Sequence, residues 1–588
     1  MCGIAGMMTT ARDGPPAATL DALANALAHR GPDGRKEYRS GNVGMIHNRL
    51  AIIDLETGDQ PLNEPGGAAL VANGEIYNYI ELRARLRDVN FATGSDCEPP
   101  LHLYRRRGIA FVDELRGMYG LAIHDPKAGR LILARDPFGI KPVYYVESDD
   151  GVAFASEPQA LIAAGLARKR IDPRVRGELL EIQFSTRRDT IFADIKRLLP
   201  GELLVIADGR IVERHRHRAL PVDGPAAWDE AEALERLDAA LEDSVVLHQR
   251  SDVPYGMFLS GGIDSSAVLA MMARLNPRPV IAFTAGFPGT QVPDEREGAR
   301  TVAQALGAEH YEIEVRAADF WRLLPRIAAA MDDPASDYAC IPTFMLAQRA
   351  KEAGLKVVLC GEGGDELFGG YGRYRSVIRP WWLGGRAMRR RGKFEGLGVL
   401  RDQSRGWRDG IEAAEITERL AGRTRLQVAQ AVDCADWLPN DLLIKLDRCL
   451  MAHGVEGRTP FLDSAVAAVA FGLPDRFKIR QGQGKWLLRR WLDEKLPAAG
   501  AFKPKRGFTV PVGEWIASEG ARIGPLVAAQ PGVAEIADPR AVAKLFRDPS
   551  KHAGSAAWVL LFYALWHRRH VAGRAPDGDT FECLHDRI

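Results

Sequence analysis

The sequence has no CxxC pair, and its seven cysteines are scattered and odd in number. That excludes a disulfide framework and fits a reducing compartment. An excess of charge is also missing. Lys and Arg total 78 against 77 Asp and Glu, a formal net charge of +1, so no molecule-wide field would draw in nucleic acid or a membrane. The longest apolar run near the C-terminus, residues 556–566, falls short of the ~20 residues a bilayer-spanning helix needs. The N-terminus sets no basic segment before an apolar run, so no secretory leader is read there. What remains is a globular composition, 46% hydrophobic and 26% charged over 588 residues, enough for two or three domains that each bury a core. The expectation is a cytoplasmic protein handling small soluble molecules, with no nucleic-acid partner and no transmembrane segment.

The chain is organised around Ser260-Gly261-Gly262-Ile263-Asp264-Ser265-Ser266. An apolar run ending in Leu259 precedes it and a second apolar run follows, which reads as strand, tight glycine loop, helix. Two glycines let the backbone turn sharply and approach a ligand. The helix start presents unpaired N–H groups and a positive dipole end, a setting for phosphate. This is not the common P-loop, which needs a Lys before Ser or Thr to reach the β/γ-phosphates. Here an acid, Asp264, stands at the mouth instead, and an acid beside phosphates calls for a bridging metal such as Mg²⁺. A bare Gly-Gly pair would be an ordinary turn. The seven-residue string as a whole resembles the pyrophosphate loop of ATP pyrophosphatases, which adenylate a substrate and release pyrophosphate.

At the other end the chain begins Met1-Cys2-Gly3-Ile4. With Met1 removed, Cys2 would carry a thiol and an α-amine of pKa about 8 that can accept the thiol proton. Position alone is also consistent with a cysteine that merely starts a buried strand. After it, Leu20, Leu23, Ala24 and Leu27 recur at helical spacing, and strand-like runs follow at 43–46, 50–53 and 69–72, then a hairpin pattern over 120–145. Strands with a helix or two predict a layered α/β sandwich.

Five motifs in this part are specific: Cys2-Gly3-Ile4, His29-Arg30-Gly31-Pro32-Asp33, Arg49-Leu50-Ala51-Ile52-Ile53-Asp54, Asn73-Gly74-Glu75-Ile76-Tyr77-Asn78 and Gly94-Ser95-Asp96-Cys97-Glu98. In that order they resemble the class II glutamine amidotransferase domain, an Ntn-hydrolase αββα sandwich. The resemblance implies that Cys2 attacks the glutamine side-chain amide, and that the Asn73 side chain and Gly74 N–H form the oxyanion hole. It implies that Arg49 clamps the α-carboxylate, that Glu75 and Asp96 meet the α-ammonium and nearby backbone, and that Leu50, Ile52 and Ile53 complete the glutamine pocket. Taken singly, Arg49 would suit a surface ion pair, Asp96 a turn and Asn73-Gly74 a hairpin.

One more hairpin passes through Ala207-Asp208-Gly209-Arg210. The run His215-Arg216-His217-Arg218 then leads into a Pro/Gly-containing stretch and reads as a solvated linker rather than a metal or nucleic-acid patch. A helix with Ala231, Leu234, Leu237, Leu241 and Val245 on one face leads to the phosphate loop. Beyond it, strands at 280–286, 310–315 and 356–360 alternate with a helix at 297–306, which predicts a parallel sheet with ligands at the strand C-terminal ends. The expected division is 2–215, linker 216–227, a second domain 228–571, and a loosely ordered tail 572–588.

The second half, with Gly361-Glu362-Gly363-Gly364-Asp365, Arg458-Thr459-Pro460-Phe461-Leu462-Asp463 and Gly484-Lys485-Trp486, is similar to the synthetase domain of glutamine-hydrolysing asparagine synthetases. That domain is an ATP-pyrophosphatase (adenine nucleotide α-hydrolase-like) fold. The resemblance implies that Ser260, Gly261, Gly262 and Ser265 hold the ATP phosphates, that Asp264 and Asp365 hold Mg²⁺, and that Leu259 and Ala285 flank the adenine. It puts Cys360 and Gly361 near the nucleotide, makes Glu362 the acid–base group and has Lys485 stabilise developing charge. Lys485 as a helix-start lysine and Cys360 as a buried strand-end thiol are the plainer alternatives. Ammonia freed at Cys2 would need an enclosed passage to the second site. Partners would be glutamine, ATP and aspartate, with a homodimer expected at family level.

Two stretches depart from that pattern. The segment Asp332-Asp333-Pro334-Ala335-Ser336-Asp337 lacks the Thr/Arg pattern by which some asparagine synthetases hold aspartate. The acceptor is therefore aspartate or another carboxylate, such as an amino sugar acid, a peptide or a surface-polymer precursor. The second is the basic run Arg386, Arg389, Arg390, Arg391 and Lys393 near Trp381 and Trp382. It reads as a solvated helix or mobile insertion, with an anionic surface as the other possibility.

Overall fold

The computed structural model describes residues 2–402, 405–503 and 509–585. The first half is built on two six-stranded antiparallel sheets. One runs Lys196–Arg197, Tyr144–Ser148, Gly151–Ala155, Gly3–Thr9, Val43–Arg49, Gly34–Ser40; the other runs Arg210–Arg216, Glu202–Ala207, Arg130–Arg135, Gly117–Asp125, Ala69–Ile76, Leu62–Asn63. Alternation along a strand explains the layering. In Gly3–Thr9, Ile4 and Met8 point between the sheets, where they join Val71, Leu133, Phe154 and Leu204. Ala5 and Met7 point the other way, to Leu20, Leu23 and Leu179 on helices Ala17–Ala26 and Pro173–Ile182. The second sheet turns Leu70 and Ala72 to Leu101 of helix Glu98–Arg107. The result is the expected αββα sandwich.

The second half holds a five-stranded parallel sheet in the order Glu309–Glu314, Ile281–Gly286, Tyr255–Phe258, Val357–Leu359, Glu456–Arg458. The first strand in sequence, Tyr255–Phe258, lies in the middle, so connections leave it in both directions. That is a switch point, and the crevice at its carboxyl end is where such sheets bind ligands. Helix Glu230–His248 buries Leu237, Leu241 and Val245 against this domain, whereas Ala231 is exposed.

Three expectations need correction. Residues 50–53 form an irregular loop, not a strand; they are apolar because they are buried between the halves. Asn73-Gly74 lies within the strand Ala69–Ile76, which removes the plainer hairpin alternative. The tail is not loose as far as it is described: Thr580–His585 is helical, the Phe581 ring lies 4.8 Å from Trp321, and Thr580 Oγ1 donates to the Trp321 carbonyl at 2.7 Å. The basic run is not a helix and is solvated only in part: Arg386, Arg390 and Arg391 are exposed, whereas Arg389 and Lys393 are largely buried. The stretch read as a linker begins on the end of strand Arg210–Arg216 and then lies on the second half, with Ala226 N donating to the Gly472 carbonyl at 2.8 Å. The apolar run 556–566 forms the middle of the buried helix Lys551–His570. Among the described residues, no helix is long and apolar enough to cross a membrane.

Buried ion pairs join the two halves. Arg30 donates to Glu157 and twice to Asp447 (2.7, 2.8 and 3.0 Å). Arg448 meets Glu157 at 3.8 Å, and Arg197 meets Asp333 at 2.6 Å. Arg116 reaches Asp463 at 2.8 Å. Such pairs are costly to break from one side, because the remaining charge stays buried.

Candidate functional site

Two sites take shape. In the first, Cys2 is 8% exposed at the start of its strand, and its backbone N donates to Asn73 Oδ1 at 3.0 Å. The thiol faces the Leu50 carbonyl at 3.9 Å, and burial raises it above its ordinary value. Met1 lies outside the described residues. Asn73 is fully buried and, among the described residues, its Nδ2 has no partner. A buried donor left free beside a thiol is a group awaiting an acceptor. Gly74 follows in a strand position where a Cβ would lie 2.1 Å from the Met118 carbonyl, so only glycine fits.

The loop 50–57 is folded onto this site by Asp54, whose φ of 52° is in the left-handed region. Its carboxylate accepts from Thr57 N at 2.9 Å and Gly94 N at 2.8 Å, so it ties the Arg49 loop to the Asp96 loop. Arg49 donates to Asp59 at 2.8 Å and also to the carbonyl of Asp54. Leu50 and Ile52 pack into the core shared with the second half, and the Ile53 carbonyl accepts from Arg49 at 3.4 Å. Asp96 Oδ2 accepts from Ile76 N at 2.7 Å. Burial pushes the Asp96 carboxyl up to about 6, and burial with Asp96 nearby raises Glu75 well above the usual range. This acid pair needs a cation, and Arg458 supplies a partial one, 3.4 Å from Glu75 Oε2.

In the second site, one cavity of about 880 Å³ opens at the switch point. Leu259, Ser260, Gly261, Gly262, Asp264, Ser265, Ala285, Cys360 and Gly361 all line it, with Glu362, Asp365 and Lys485. Ser265 Oγ accepts from Ser260 N at 3.0 Å and pins the loop to the start of helix Ile263–Leu275. Thr284 Oγ1 donates to the Leu259 carbonyl at 2.7 Å. The second glycine loop lies against the first: a Cβ on Gly364 would stand 2.4 Å from Asp264 Oδ1.

Asp264 and Asp365 converge on one ammonium. Lys485 Nζ meets both carboxylates, that of Asp365 at 2.7 Å. Its backbone is left-handed, φ 58°, at the start of helix Trp486–Lys495. Among the described residues, no group of three or more His, Cys, Asp or Glu side chains could hold a metal by itself. Two oxygen-donor acids that already share one cation do fit Mg²⁺, which usually takes one or two carboxylates and fills its shell with phosphate oxygens and water. Glu362 lines the same cavity, and burial raises its carboxyl. Beside it, burial opposes the charge of Lys445, but Asp337, 3.2 Å away, and Glu362 outweigh that and hold it protonated.

Arg30, Asp54, Thr284, Lys445 and Arg458 carry contacts that sequence reading had not assigned. Arg30, Asp54 and Arg458 lie within the motifs above and Thr284 within the strand at 280–286, whereas Lys445 has no local signal.

A family model described as "Asparagine synthase" matches residues 236–568, and one described as "Glutamine amidotransferase domain" matches residues 1–217. The putative asparagine synthetase [glutamine-hydrolyzing] of Mycobacterium tuberculosis is 34% identical over 96% of this chain and 97% of its own. Asparagine synthetase [glutamine-hydrolyzing] 1 of Bacillus subtilis is 31% identical over 98% of each. Asparagine synthetase B [glutamine-hydrolyzing] of Escherichia coli is 31% identical over 84% of this chain and 79% of its own.

Proposed function

The chain belongs to the glutamine-hydrolysing asparagine synthetases, and on that premise we propose that it makes asparagine from aspartate, glutamine and ATP. Cys2 attacks the amide carbon of glutamine. The Asn73 Nδ2 and Gly74 N–H donate to the oxyanion that forms and stabilise it. Arg49 takes the α-carboxylate, and Glu75 and Asp96 take the α-ammonium. Leu50, Ile52 and Ile53 wall the pocket. Ammonia leaves as the C–N bond breaks, a water then hydrolyses the γ-glutamyl thioester, and glutamate departs with the Cys2 thiol restored.

In the cavity of the second half the aspartate side-chain carboxylate attacks the α-phosphorus of ATP and pyrophosphate departs. The loop Ser260 to Ser265 cradles the phosphates, with Leu259 and Ala285 at the adenine and Cys360 and Gly361 along the nucleotide. Asp264 and Asp365 would hold Mg²⁺, which would supply neutralisation of charge on the departing pyrophosphate. Lys485 does the same from the protein side. Ammonia attacks the β-aspartyl adenylate, Glu362 accepts the surplus proton, and AMP leaves. A cytoplasmic homodimer belongs to the same reading and rests on the resemblance.

The observation that best supports this is the partnerless Nδ2 of buried Asn73 beside Cys2, in a chain whose other half gathers Asp264, Asp365 and Lys485 in one cavity. Purified protein with glutamine, ATP, Mg²⁺ and aspartate should form asparagine, AMP and pyrophosphate in step. Glutamate production without aspartate-dependent AMP would reject aspartate as the acceptor and leave another carboxylate to be found.

A further inference from the structure

The segment from Arg373 to Lys393 carries seven arginines and one lysine, and no acidic residue occurs between Glu366 and Glu395. The fold divides the arginines into two sets. The inner set forms a stem. Arg373 and Arg389 close on Asp433 at 2.7 and 3.5 Å. Arg373 lies 3.7 Å from the centre of the Tyr371 ring, Arg389 3.9 Å from that of Trp437, and both rings line the catalytic cavity. The outer set, Arg375, Arg379, Arg386, Arg390 and Arg391, is exposed.

Between the outer arginines three large apolar side chains project into solvent: Trp381 is 81% exposed, Trp382 67% and Leu383 63%. They are held there. Leu383 N and Gly385 N both donate to the Pro380 carbonyl at 3.0 Å, Gly384 N donates to the Trp381 carbonyl at 3.1 Å, and Arg386 N to the Ser376 carbonyl at 3.1 Å. Gly384 has φ 82°, and a Cβ on Gly385 would lie 2.1 Å from the Arg379 carbonyl. The knuckle is thus a built turn that presents its apolar tip outward.

We propose that this knuckle docks the protein on an anionic lipid surface. Trp381, Trp382 and Leu383 enter the boundary between headgroups and acyl chains, where indole rings are favoured. The five exposed arginines meet the lipid phosphates around them. The overall charge of +1 makes this a local device, not a property of the whole surface. A second copy is a poor occupant, since a two-fold contact on the knuckle sets like arginines face to face with no acid on the segment between them. Single-stranded nucleic acid is disfavoured by the rings themselves, which stand edge to face at 89° and so offer no pair of parallel platforms for successive bases.

The test is co-sedimentation of the full-length protein with phosphatidylcholine vesicles prepared with and without phosphatidylglycerol. Binding is expected to the anionic vesicles, to be about tenfold or more tighter than to neutral ones, and to weaken with salt. W381A/W382A should reduce it by about tenfold or more while glutamine hydrolysis, the control for folding, is unchanged. R386Q/R390Q/R391Q should weaken it and flatten its salt dependence. Equal sedimentation of wild type and W381A/W382A, or none with either vesicle, overturns the proposal. So does an oligonucleotide that binds more tightly than the vesicles through the same tryptophans. A dimer in sedimentation velocity that W381A/W382A dissociates would assign the knuckle to a second copy and overturn it as well.

Discussion

Arg458 Nη2 lies 3.4 Å from Glu75 Oε2, and the Arg458 carbonyl accepts from Cys360 N at 2.8 Å. One residue of the parallel sheet therefore touches the acid pair of the glutamine site and the strand end that carries Glu362. Its guanidinium is further fixed by Glu456 at 2.7 Å and by the carbonyls of His248 and Arg250. The two sites share a rigid element, not merely a border.

Arg458→Met should leave the buried carboxylate of Glu456 without its guanidinium partner. We expect a loss of about 3–5 kcal/mol in the transition that includes both halves, read as an earlier urea midpoint. An unchanged midpoint would mean that the pair is replaceable by packing alone.

Asn73→Ala removes the partnerless Nδ2 and one hydrogen bond to Cys2 N. Glutamine hydrolysis should fall about 10²–10³-fold in kcat with little change in KM. Ammonia-dependent synthesis should stay near wild type, which steady-state assays with ammonium chloride would check. Cys2→Ala should abolish glutamine use and likewise spare the ammonia route.

The Asp96 carboxyl is pushed up to about 6 by burial. An α-ammonium needs the ionised form, so that attraction is present above pH 6 and lost as pH falls through it. KM for glutamine should rise about tenfold per unit below pH 6, and Asp96→Asn should flatten the profile at a uniformly higher KM. The stability effect has the other sign. With an unfolded value of about 3.9, this group favours the folded state most at low pH and its contribution fades as pH rises through 6.

Lys485→Met leaves Asp264 and Asp365 facing each other without an ammonium. ATP-dependent AMP formation should fall by about 100-fold or more, while glutamine hydrolysis without ATP continues at the wild-type rate. Pyrophosphate release and glutamate formation, followed in parallel, separate the two.

Much of this was legible because its signals are local. Strands such as Gly3–Thr9 show in their alternation, and the glycine loops at 260–266 and 361–365 place their acids within a few residues of a strand end. What could not be read depends on distance or on what covers a segment. Arg30 and its partner Asp447 are 417 residues apart, and nothing near either announces the other. Residues 50–53 are apolar enough for a strand, but their hydrophobicity serves a loop pressed between halves. The C-terminal tail has a polar Gly/Pro start, yet Phe581 and Leu584 find a bed on Trp321 and the core around it.

The buried charges along the junction also bear on recombination. Arg30, Glu157, Arg197 and Arg116 come from one half, and Asp447, Arg448, Asp333 and Asp463 from the other. A chimera cut in the stretch between Arg216 and Glu230 would inherit the two sets from different parents. Unless both parents use the same pairs, it would fold around unmatched charges, so the halves must be exchanged together with their facing partners, as a key is cut with its lock.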